Sequence, residues 1–147
     1  MYVPHFEAIL KNIGISRQDF DEASSIKIPS ALLRFLLQVV VAGGDFNKDG
    51  YLKANKDISD AVQNGSLANP QLHYIQFGFF EGRTGATPAV NEGWYKKAYE
   101  DVGDAVRAGT LTSASEHFII QGAAEGRSPN EQFSVDATQW KKAFGLS

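Results

Sequence analysis

A chain of 147 residues with 43% hydrophobic and 21% charged residues is long enough to bury a core and has the composition of a folded protein. A net charge of -3, with the basic residues scattered and forming no stripe, excludes nucleic acid as the main partner. The absence of cysteine excludes disulfide scaffolds, thiolate metal sites and cysteine nucleophiles.

The opening, MYVPHFEAILKNIG, has no basic stretch followed by an apolar one and does not read as a secretory signal. It predicts a helix over 4–13 stopped by Gly14, with His5 an ordinary surface or core-edge residue. A capped segment, SRQD at 16–19, follows. Ser30 is predicted to cap an apolar helix bounded by Ala31 and Ala42 and ended by Gly43 and Gly44. Arg34 and Gln38 interrupt this run, which is too short to span a bilayer. Apolar on nearly every side, the helix is either central to the core, the reading we favour, or half of a homodimer interface.

DFNKDGYLKANK, at 45–56, then imitates a calcium loop, with Asp45, Asn47 and Asp49 at alternate positions and Gly50 behind them. Such a loop needs a bidentate carboxylate at its twelfth position, where this chain has Lys56; Asp57 comes one residue late. The expectation is an acidic turn leading into a helix, with a weak cation site at Asp45, Asn47 and Asp49 left open and no cofactor.

From Tyr51 onward the chain repeats itself. YLKANKDISDAVQNGSLANPQLHYIQFGFFEGR aligns without a gap on YKKAYEDVGDAVRAGTLTSASEHFIIQGAAEGR, at an offset of 44 (95 minus 51), with 15 of 33 positions identical. QWKKAF at 139–144 begins a third copy. Each copy predicts a two-turn helix around Tyr51 or Tyr95, then a second helix with Asp57 or Asp101 at its start and Gly65 or Gly109 at its left-handed end. The third helix opens on Asn69-Pro70 in one copy and on SASE, 113–116, in the other, and ends at Gly82 or Gly126. The expected architecture is all-α: an N-terminal helical segment (1–45), two short helical repeats (46–89 and 90–133) and a partial third (134–147).

Several repeated residues invite a chemical reading. His73, Glu81 and Arg83 match His117, Glu125 and Arg127, an acid/base set in principle. Equivalent side chains of neighbouring repeats need not share a pocket, however, and the expected role is structural. In that reading the imidazole bonds a nearby carbonyl, and each arginine bonds helix ends or Asp60 or Asp104. Asp57 and Asp101 belong to the same structural set. No motif for nucleophilic catalysis, phosphate binding or zinc hydrolysis is present, so no catalytic residue is assigned. The aromatic residues Tyr51, Trp94, Tyr95, Tyr99 and Trp140 recur near the first helix. Flat apolar rings suit sugars and protein interfaces, and they also suit an inter-repeat core, the reading we favour. Tyr51, Trp94, Tyr95 and Trp140 are the candidate ligand-binding residues, with Trp94 the one expected to be partly exposed.

FNKDGYLKANKDI…G…HYIQFGFFEGR and VNEGWYKKAYEDV…G…HFIIQGAAEGR resemble a bacterial tandem repeat. It runs phenylalanine-aspartate, Trp-Tyr-Leu, Asn-Pro-Asp-Val, glycine, His-Tyr, glycine and Glu-Gly-Arg. The resemblance covers about 46 to 144, although the Asn-Pro-Asp step is replaced by NKD at 55–57 and YED at 99–101. Such repeats occur in glycosyltransferases, exopolysaccharide-associated proteins and large surface proteins, where they flank the catalytic or adhesive part. The resemblance implies a non-catalytic interaction or scaffold module with a protein partner, linked to surface polysaccharide or secretion. The alternatives are a carbohydrate-binding module using the aromatic residues, and an enzyme built around His73 or His117. The chain is expected in the cytoplasm, or secreted without a cleavable signal.

Overall fold

The computed structural model describes residues 2–87 and 89–146, and every regular element among them is helical. The N-terminal segment holds α1 (Phe6–Ile13), α2 (Arg17–Glu22) and α3 (Ser30–Gly43). His5 caps α1, its ring accepting from the Glu7 amide, and Ser16 and Asp19 close a reciprocal capping box on α2. Phe6 packs edge-on to Phe20, and Arg17 pairs with Glu7, tying α1 to α2.

Two expectations for α3 are corrected. Pro29, not Ser30, stands at the N-cap, where its fixed φ suits the start and no side-chain cap bond forms. More important, α3 is not the centre of the core: none of its residues is fully buried. It lies along one side of the chain's next segment, with Val41 against the core there and the Arg34 guanidinium 4.0 Å above the Phe80 ring.

The two aligned segments build the same elements in the same order. The first has α4 (Lys48–Ala54), α5 (Lys56–Gln63), α6 (Pro70–His73) and a π-helical turn, Tyr74–Gly78. The second has α7 (Glu92–Ala98), α8 (Glu100–Arg107), α9 (Ala114–His117) and a π turn, Phe118–Gly122. Asn47 and Asn91 cap the first helix of each, accepting from the Gly50 and Trp94 amides. Gly65 and Gly109 end the second helix at φ 79° and 75°, where a side chain would be strained. The third helix starts as predicted at Asn69-Pro70 and at Ser113, but Glu116 reaches back to the Thr112 amide, so the box is displaced by one residue.

Each segment then turns back on its own beginning. The Asn47 amide donates to the Ala86 carbonyl, and the Asn91 amide to the Pro129 carbonyl, both at 3.0 Å. Two separate cores result: Tyr51, Ile58, Tyr74 and Ala86 in one, and Tyr95, Val102 and Ala114 in the other. Among the described residues, no pair of elements in substantial contact joins one segment to the other. A 3-10 turn (Glu131–Phe133), capped by Asn130, leads into α10 (Ser134–Ala143). Among the described residues no helix is long and apolar enough to cross a membrane.

Candidate functional site

Both segments place a tyrosine at the middle of their first helix with no accessible surface at all, Tyr51 in α4 and Tyr95 in α7. A buried phenol needs a partner for its hydroxyl, and each finds the histidine that ends the third α-helix. Tyr51 Oη lies 3.1 Å from His73 Nδ1, and Tyr95 Oη lies 3.1 Å from His117 Nδ1. Either neutral tautomer satisfies this bond, Nδ1 accepting from the hydroxyl or donating to its oxygen. The expectation that the imidazole bonds a nearby carbonyl is therefore corrected. Its partner is a phenol 22 residues upstream, reached only through the packing of the first helix on the third.

The glycine five residues after each histidine completes the nest. Past the histidine the backbone loosens into a π turn, with the Phe79 amide bonding the Tyr74 carbonyl and the Ala123 amide the Phe118 carbonyl. This brings Gly78 and Gly122 against the phenol oxygens: a Cβ built on either would stand 2.2 Å from the tyrosine oxygen. Burial pushes the Tyr51 and Tyr74 hydroxyls above their ordinary 10, and Tyr95 up to about 12.

The arginine of each Glu-Gly-Arg then clamps the start of the second helix. Arg83 donates from Nε to Glu81 at 2.6 Å and from Nη1 to Asp57 at 2.9 Å. Arg127 does the same to Glu125 at 2.6 Å and holds both Asp101 oxygens, at 2.8 and 2.7 Å. Its guanidinium also rests 4.9 Å above the Tyr99 ring. Asp60 and Asp104, proposed as arginine partners from the sequence, instead pair locally with Lys56 and Arg107. The arginine hydrogen bonds hold the Asp57 and Asp101 carboxyls below their ordinary 3.8 and raise both guanidinium groups further.

Taken together, these residues satisfy one another. Among the described residues no buried side-chain nitrogen or oxygen lacks a hydrogen-bond partner. Neither of two open cavities, of about 680 and 350 Å³, is lined by His73 or His117. His73, Glu81 and Arg83 are not brought to one point: the histidine turns to the phenol, while Glu81 accepts from Arg83, which reaches on to Asp57.

The calcium-like loop leads into α4, as the turn-and-helix reading expected. Asn47, its central candidate, spends its side-chain oxygen on the Gly50 amide at 2.9 Å. Asp45 and Asp49 are exposed beside it, and among the described residues no three metal-binding side chains gather.

Of the aromatic candidates, Tyr51 and Tyr95 present no face to solvent and lie in the two cores, the favoured reading of these residues. Trp94 is half-buried, edge-on to Tyr99 with ring centres 6.0 Å apart. Trp140 is 45% exposed and stacked on Phe144, itself 62% exposed, at 5.5 Å.

The ties made at two positions escaped sequence reasoning. Glu92 accepts from the Ala114 and Ser115 amides and the Ser115 hydroxyl, pinning α7 to the start of α9. Burial pushes its carboxyl up and these bonds more than offset it, leaving it below its ordinary value. The aligned residue is Lys48, so the alignment carried no signal for it. Position 55/99 is the other: Asn55 donates to the Tyr51 and Thr84 carbonyls, whereas Tyr99 accepts from the Ser128 amide. Different side chains perform the same tie, which identity counting overlooks. Compared with family models, curated proteins and solved structures, the chain matches none.

Proposed function

We propose that this chain is a non-catalytic interaction or scaffold module built from helical repeats, associated with bacterial surface polysaccharide or its secretion. The observation that carries the reading is where the unspent surface lies. The recurring polar residues are consumed in internal ties, while large apolar side chains stand outward. Leu33, Phe35, Leu36 and Val40 on α3, Ile119 and Ile120 on the second π turn, and Val135 on α10 are all at least 46% exposed. Apolar area left in water costs roughly 25 cal/mol per Å², and its burial against a partner recovers that energy. The link to polysaccharide rests on the sequence resemblance alone. Affinity capture with the chain as bait, from a bacterium that encodes it, tests the reading: a specific protein partner is expected, and repeated capture of none refutes it.

The second reading, a carbohydrate-binding module, is favoured by one observation, the exposed Trp140–Phe144 stack. Such a platform presents a flat face to sugar C–H groups. Glycan-array binding lost in Trp140→Ala and kept in Tyr51→Phe would support this reading over the first.

A further inference from the structure

The two π turns are alike in sequence register and backbone, yet they are covered differently. The first, Tyr74–Gly78, packs against α3, and Ile75 on it is half-buried. Among the described residues the second, Phe118–Gly122, has no such helix in substantial contact: Ile119, aligned with Ile75, is 62% exposed, and Ile120, aligned with Gln76, is 66% exposed. The surface that α3 covers once is thus presented a second time, more apolar and bare. Ala123 and Ala124 stand where the first segment has Phe79 and Phe80, leaving room for a helix to approach closely.

The same molecule carries a matching unspent surface. α3 turns Val41 toward the first core, and Leu33, Leu36 and Val40 form a separate stripe at i, i+3 and i+7, each 46% exposed or more. A helix already suited to one π turn therefore keeps a free apolar seam. We propose that this seam docks on Ile119 and Ile120 of a second copy of the chain. Each copy gives its α3 and receives the other's, so two identical contacts close a two-fold dimer with no growing end. This names a partner for the interaction reading above and rests on that reading; neither the Tyr–His nests nor the arginine clamps take part.

Light scattering and sedimentation on the full chain test it. Wild type is expected at twice the 16.0 kDa chain mass. Leu36→Asp and Ile119→Asp each reduce the mass to one chain, with helical circular dichroism unchanged because both positions are exposed. Mixing these two variants restores one intact contact, so a weakened heterodimer returns. Ile120→Gln, which installs the residue aligned in the first segment, serves if an aspartate variant misfolds, and weakens the dimer at least ~10-fold, the worth of about 1.4 kcal/mol. A wild type that stays at one chain up to about 1 mM overturns the proposal. So does a dimer broken by Leu36→Asp but untouched by Ile119→Asp and Ile120→Gln, which signifies an α3–α3 contact. Either failure leaves the affinity capture free to succeed or fail alone, so the two readings fall separately.

Discussion

Replacing Gly122 by alanine adds one methyl group and puts the Tyr–His nest to a direct test. An alanine in a helical position usually stabilises by about 1 kcal/mol over glycine. Here the new Cβ would stand 2.2 Å from Tyr95 Oη and 3.2 Å from His117 Nδ1, so the phenol must leave. Overpacking of this kind costs about 1–3 kcal/mol, and the broken buried hydrogen bond adds about 1 kcal/mol. The net expectation is a loss of about 1–3 kcal/mol once the propensity gain is subtracted. Removing the hydroxyl should reverse the sign. In a Tyr95→Phe background the closest atom is gone, and Gly122→Ala then stabilises by up to about 1 kcal/mol. Gly93→Ala is the control, because its Cβ would meet only Asn91 Oδ1 at 3.7 Å and should stabilise in both backgrounds. Urea unfolding followed by circular dichroism measures all of these. A Gly122→Ala variant that stabilises wild type and Tyr95→Phe alike refutes the reasoning.

Acid titration should expose the arginine clamp. Asp101 is held below its ordinary 3.8 when folded, so its contribution is full above that value and is lost as pH falls through the lowered one. Melting temperatures from about pH 6 to about pH 2 should therefore fall less steeply in Asp101→Asn than in wild type, with the difference confined to the acid end. The alkaline end carries the opposite signature. Tyr95 is raised to about 12, so stability is full below the ordinary 10 and declines as pH rises through the folded value. Tyrosinate absorbance should show Tyr51, Tyr74 and Tyr95 ionising later than a model tyrosine, and Tyr95→Phe should remove one late-titrating group. Asn47→Ala should cost about 1 kcal/mol, the worth of a lost helix cap, equally with and without calcium; a calcium-dependent melting temperature in wild type that this variant abolishes would contradict the cap assignment.

What the sequence revealed was what local chemistry decides. Asn69-Pro70, Gly65 and Gly109 set helix ends through their own caps and φ values, so they could be read one residue at a time. The nest could not. His73 and Tyr51 are 22 residues apart, and their bond exists only because α4 packs on α6. The repeated Gly78 and Gly122 are close-approach sites inside a π turn that no 3.6-residue periodicity announces. Arginine specificity failed for a related reason: Asp57 and Asp60 lie one turn apart on α5, and only the fold of the Glu-Gly-Arg turn selects between them. The apolar run of α3 was legible as a helix but not as an outer one, because sequence records hydrophobicity and not what covers it.

The head-to-tail closure of each segment has a consequence in time as well as in space. The amide at Asn47 meets Ala86 and the amide at Asn91 meets Pro129, so the longest tie in either segment spans about 40 residues. Chains dominated by such short-range ties fold quickly, because little loop entropy must be spent before contacts form. During synthesis the first segment has all its own ties once Ala86 has left the ribosome, before most of the second has emerged. The chain is thus suited to being made one finished unit after another, and lengthening it by a unit would not delay the folding of those already made.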